Sequence, residues 1–99
     1  MGRALEAAGH SRPANSAAHH IVAGSAAAAE PARRVLNKLG IGIDDATNGI
    51  FLPMQQHDML HTTEYYSAIN KALQGVSTRQ QAMDVLEAIA QKLRNQKFP

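Results

Sequence analysis

Ala82, Val85, Leu86, Ile89, Ala90 and Leu93 recur at helical spacing towards the end of the chain, and no other feature constrains the fold as strongly. Apolar residues at i, i+3, i+4 and i+7 line one side of an α-helix and leave a stripe that must be covered. The helix is expected to open after Gly75 on a capping box, with Ser77 as N-cap and Gln80 at N3. Lys92, Arg94 and Lys97 gather near its C-terminal end, where positive charge opposes the macrodipole. The chain that must cover this stripe is short. Ninety-nine residues form one domain with a small core, one that a metal site could help to stabilise.

The remaining elements are mostly helical. Gly2 to Ala8 has helix-forming composition and stops at Gly9. Ser11 to Ser16 is a turn-rich connector, and Ala17 to Ala23 reads as a short strand broken by Gly24-Ser25. A second helix, about Ala28 to Leu39, carries Ala32, Val35, Leu36 and Leu39 on one face, with Pro31 in its first turn and Gly40 at its stop. Arg33, Arg34 and Lys38 fall outside that stripe, free to face solvent or a phosphate backbone. Ile41 to Gly49 is loop-like, and Asn48-Gly49 is a strong turn signal. Ile50-Phe51-Leu52 follows as a short strand stopped by Pro53, then Met54 to Leu60 as a loop or short helix. Thr62 caps a further helix through Leu73, with Tyr65, Ile69, Ala72 and Leu73 on its buried side. The fold class is therefore α+β and mostly helical, with two short strands, a helix inserted between them, and amphipathic C-terminal helices.

Composition removes several functions. Without cysteine there is no disulfide, thiolate zinc site or thiol nucleophile. Two Phe, two Tyr and no Trp make a poor base-stacking platform. A net charge of +2 is compatible with an anionic substrate but does not by itself indicate nucleic acid. No apolar run approaches a membrane span, no signal segment is expected at the N-terminus, and the chain is read as soluble.

Four of the five histidines form two pairs. His57 and His61, four apart, suit paired metal ligands on a helical turn, although surface histidines show the same spacing. His19 and His20 open the first strand, and strand neighbours point to opposite faces. One ring can therefore ligate while the other activates water; an exposed or structural pair is the plainer alternative. Asn48 fits its turn, and its amide can also hold the site loop in position. Asp44, Asn48 and Gly49 match the first, fifth and sixth positions of a calcium loop, but Ala46 and Gln55 stand where ligands are needed. That template fails, and Asp44 and Asp45 are read as turn formers. Glu64 is read as an acid in the first turn of a helix. There is no Gly-rich phosphate loop and no nucleophile elbow.

Ala18-His19-His20-Ile21-Val22, the stretch Gly40 to Pro53, His57, and His61-Thr62-Thr63-Glu64-Tyr65-Tyr66 together resemble the AHH nucleases. These are a branch of the HNH/endonuclease VII superfamily, found as toxin modules of bacterial polymorphic toxins. The long final helix and Phe98-Pro99 are similar too, so the resemblance covers nearly the whole chain. It implies a ββα-metal (His-Me finger) core, here with a whole helix between the two strands. It further implies that His19 is a metal ligand, His20 the general base, His57 and His61 the remaining ligands, and Asn48 a residue that orients the site.

The resemblance implies a metal-dependent endonuclease that hydrolyses phosphodiester bonds of DNA. An imidazole, with an ordinary pKa near 6.5, suits the removal of a proton from water, and a divalent ion neutralises charge on the phosphoryl and leaving oxygens. That ion is one of zinc, nickel, magnesium or manganese; three imidazoles hold zinc or nickel tightly, whereas magnesium prefers oxygen. Arg33, Arg34 and Lys38 are the candidate phosphate contacts to double-stranded DNA. An acidic immunity protein is the expected partner. The expected setting is a larger protein, secreted or delivered into a bacterial cell and acting in its cytoplasm. The alternatives are an RNA-cleaving toxin and a non-catalytic, metal-stabilised binding module.

Overall fold

The computed structural model describes residues 1–99. Its elements run α1 (Gly2–Ala7), β1 (Ser16–His20), α2 (Glu30–Lys38), β2 (Gly49–Pro53), α3 (Met54–Asp58), α4 (Thr63–Leu73) and α5 (Arg79–Arg94), with 3-10 turns at Ala27–Ala29 and Ala46–Asn48. The two strands pair antiparallel, placing His19 opposite Ile50 and His20 opposite Gly49. This is a small α+β fold compatible with a ββα-metal core. No helix is long and apolar enough to cross a membrane.

The core forms where α5 is covered. Ala82, Leu86, Ile89, Ala90 and Leu93 are buried, and Val85 packs at their edge. Against them lie Tyr65, Ile69 and Leu73 of α4, Ala32 and Leu36 of α2, and Ile50 and Leu52 of β2. Thr62 caps α4 as expected, its hydroxyl accepting from the Tyr65 amide at 3.1 Å.

Of the boundaries that differ from expectation, three have a visible cause. β1 ends at His20, and Ile21 and Val22 turn inward, fully buried, outside the strand. The cause is Asn48. Its backbone carbonyl accepts from Ile21 N at 2.8 Å, its side-chain oxygen from Val22 N at 2.8 Å, and its amide donates to the Val22 carbonyl at 3.1 Å. One asparagine thus takes over where the ladder stops.

The capping box lies one residue later than expected. Thr78, not Ser77, is the N-cap, and Gln81, not Gln80, stands at N3. Thr78 Oγ1 accepts from the Gln81 amide, and the Gln81 side chain accepts from the Thr78 and Ser77 amides. Ser77-Thr78-Arg79-Gln80-Gln81 contains the motif in two frames. In the observed frame Ala82 becomes the first core-facing position of the helix.

The inserted helix is Glu30–Lys38, shorter than the expected Ala28–Leu39. Pro31 in its first turn has no N–H to bond backwards, and the preceding alanines tighten into the 3-10 turn. No side chain at its N-terminus caps it. Asn70 on α4 does so instead, accepting from Ala32 N at 3.1 Å and donating to the Ala28 carbonyl at 2.8 Å.

Candidate active site

β1 and β2 carry the two adjacent histidines to the mouth of a cleft of about 430 Å³, lined among others by His19, His20, His57, His61, Tyr65 and Tyr66. The pleat separates the pair. His19 points inward and is only 2% exposed, while His20 meets Asp44, Nε2 to Oδ1, at 2.7 Å.

His19 is the centre of the cluster. Its Nδ1 lies 3.0 Å from His57 Nδ1, and its Nε2 lies 2.8 Å from the Tyr65 hydroxyl. The Tyr65 hydroxyl donates to the Ile21 carbonyl at 2.7 Å. His57 Nε2 lies 3.4 Å from His61 Nε2, and His61 Nδ1 is 3.3 Å from the Tyr66 hydroxyl. His57 lies on α3, but His61 falls beyond that helix, in the link before Thr62. The pair therefore does not share one helical turn, as its spacing suggested. The rings still meet, 4.8 Å apart and nearly perpendicular.

Burial lowers the two inner histidines. Loss of water, with the neighbouring imidazoles adding to it, holds His19 down to about 3. His57 is lowered for the same reasons, burial first and then His61. Burial raises the Tyr65 phenol, with Tyr66 adding to the rise. Asp44 is lowered by the hydrogen bond from His20. Near neutrality His19 is therefore uncharged, the form in which imidazole ligates a metal.

The chain matches, over residues 1–96, the model of a nuclease family of the HNH/ENDO VII superfamily with conserved AHH. Ala18-His19-His20 supplies that triplet. The chain belongs to the AHH nuclease family. No curated protein and no solved structure matches it. Membership makes nucleic acid the substrate class, and nucleases of this superfamily use a divalent metal.

His19, His57 and His61 are the cleft donors whose chemistry suits such an ion. Two imidazole nitrogens on one tetrahedral zinc stand about 3.3 Å apart, from bonds of about 2.0–2.1 Å. The His57–His61 and His19–His57 contacts, at 3.4 and 3.0 Å, bracket that separation. His57, however, turns a different nitrogen to each neighbour, so the three rings as placed do not converge on one point and no three-donor group is closed.

Other expected residues of this AHH nuclease stand elsewhere. Asn48 is fully buried behind the end of β1 and also donates to the Ile43 carbonyl at 2.9 Å; it holds backbone and touches nothing in the cleft. Arg33 is engaged with protein, its guanidinium donating to the Ala23 and Ala26 carbonyls at 2.9 and 2.6 Å. This anchors the small-residue loop that borders the cleft. Arg34 pairs with Glu30 at 2.6 Å on the surface, and Lys38 is exposed without a partner. Arg33 and Arg34 line a second hollow of about 550 Å³ that meets the cleft at Gly24.

Two site residues escaped the sequence. Asp45 is a turn former, accepting from Gly42 N at 2.8 Å, but Asp44 is the partner of His20. Tyr65, read only as core, is also the partner of His19. A buried helical tyrosine placed four residues after a candidate ligand was the available signal, because its hydroxyl needs a polar neighbour.

Proposed function

We propose that this AHH nuclease is a metal-dependent endonuclease that hydrolyses phosphodiester bonds of DNA, with His20 as general base and His19, His57 and His61 as ligands of one divalent ion. One observation carries the proposal: a neutral, buried histidine gathers two others around it, while its strand neighbour reaches the cleft on a carboxylate. A structural pair has no need of that division.

The carboxylate of Asp44 can only accept, so across the 2.7 Å contact His20 donates from Nε2, and in its neutral form it keeps the Nδ1 lone pair for water. His20 Nδ1 takes a proton from the water as its oxygen attacks phosphorus in line, and the bond to the 3′ oxygen breaks. A divalent ion supplies charge neutralisation at the phosphoryl and leaving oxygens when bound. Asn48 keeps Val22 and Ile43 in place behind the strand end, and so fixes where His20 leaves it. Lys38 and Arg34 contact phosphates along α2, with Arg33 anchoring the loop between them and the cleft. Contacts of this kind give salt-sensitive binding with little sequence preference.

The chain acts as the toxic domain of a larger protein delivered into a bacterial cell, works on DNA in the cytoplasm, and is neutralised by an acidic immunity protein that covers the basic active-site face.

Supercoiled plasmid is the test, with and without EDTA and added zinc, nickel, magnesium or manganese. Wild type should nick or linearise it only with metal. His20→Ala should lose roughly 10²- to 10⁴-fold in rate while still binding metal, and His61→Ala should lose both. Normal cutting by His20→Ala overturns the role given to that residue. Cutting of RNA alone makes RNA the substrate. Tight metal binding that the fold requires, with no cutting of either, favours a non-catalytic binding module.

A further inference from the structure

Tyr65 has one proton and two polar neighbours. The Ile21 carbonyl, 2.7 Å away, can only accept. Two oxygens that close repel unless a proton lies between them, so the tyrosine O–H points to Ile21. The remaining contact, 2.8 Å to His19 Nε2, then has one possible donor, the imidazole N–H. His19 is thereby fixed with its proton on Nε2 and its lone pair on Nδ1.

The assignment propagates. His19 Nδ1 can only accept, so His57 donates to it from Nδ1 across 3.0 Å. His57 Nε2 then accepts from His61 Nε2 at 3.4 Å, and His61 Nδ1 accepts from the Tyr66 hydroxyl at 3.3 Å. Every donor in the chain points one way, from Tyr66 at the surface to Ile21 in the core. The inner links are short and buried; the outer ones are long and partly wet. The Tyr65 ring is itself held between His19, Tyr66 and Phe98, with centroids 5.5–5.9 Å away.

We propose that Tyr65 is a positioning residue that locks His19 in the Nε2–H tautomer, so that His19 meets a divalent metal through Nδ1, with His57 and His61 as the members that turn to complete the site. This rests on the metal-ligand role given above to the three histidines. His19 thus needs no rearrangement, whereas His57 must surrender the N–H it points at His19. Partners behind a ligating histidine fix its ring and tautomer, and their loss typically costs 10–100-fold in metal affinity.

The test uses the full chain, free of metal and labelled with ¹⁵N at histidine. Long-range ¹H–¹⁵N correlation spectra should show His19 as the Nε2–H tautomer in wild type and a mixture of tautomers in Tyr65→Phe. Zinc titration by calorimetry should show affinity falling roughly 10–100-fold in Tyr65→Phe, against less than about threefold in Tyr66→Phe, whose contact is the long outer one. The wild-type spectrum decides even if Tyr65→Phe does not fold: a proton on His19 Nδ1 overturns the inference. Unchanged zinc affinity in a folded Tyr65→Phe overturns it as well, and leaves the three-histidine site standing. Zinc that perturbs none of the three histidines removes that site, and this inference with it.

Discussion

Asn48 and Asp44 show how differently two polar side chains a few residues apart can be used. Asn48 is fully buried and bonds three backbone groups on two segments, Val22 on both sides and the Ile43 carbonyl. Asn48→Ala should cost about 2–4 kcal/mol, because it strands buried donors and acceptors in a dry site; urea unfolding measures it, and a loss below about 1 kcal/mol would show that water substitutes. Asp44 is exposed, 70% at the side chain, and stabilises little. Asp44→Asn should leave the unfolding midpoint where it is and lower kcat with KM nearly unchanged. A raised KM with kcat unchanged would point to substrate binding instead. The histidines were legible because their spacing and adjacency survive as pattern. Asp44 and Tyr65 were not, since each gains its role from a partner 24 or 46 residues away, and nothing local distinguishes a turn aspartate from one that bonds a histidine.

Among the elements, helices with periodic apolar faces were read correctly and their ends less so. The stripe of α5 reports burial directly, whereas its cap depends on which of two overlapping motifs the packing selects. Thr78→Ala should therefore cost about 1 kcal/mol, and Ser77→Ala within about 0.5 kcal/mol, by thermal or urea unfolding; the reverse ranking would restore the earlier frame. β1 is the opposite case. Apolar Ile21 and Val22 extend the strand pattern, yet Asn48 from beyond α2 takes their hydrogen bonds, Ile21 N on its backbone carbonyl and Val22 on its side chain, and the strand ends at His20. The start of α2 is similar, because its cap is Asn70 on another helix. Ends supplied from a distance leave no trace in the neighbouring sequence.

Across the whole molecule, burial of His19 sets an acid limit. Unfolded His19 takes up a proton near pH 6.5, whereas folded His19 holds off until about pH 3. Between those values the unfolded chain binds the extra proton, so the contribution is complete above pH 6.5 and is lost on acidification. In chelator, stability should fall from pH 6.5 towards pH 3 by up to about 1.4 kcal/mol per pH unit from this group, with His57 acting in the same direction. Urea midpoints at pH 7 and 5 measure the drop, and equal midpoints would mean that the buried imidazole takes its proton freely. The pairing of β1 with β2 reaches across the stretch 21–48, and the groups that His19 faces come later still, from 57 to 65. No local segment can therefore assemble the site in advance. During synthesis the two adjacent histidines leave the ribosome well ahead of the groups that hold them, and the cluster can close only once α4 has followed.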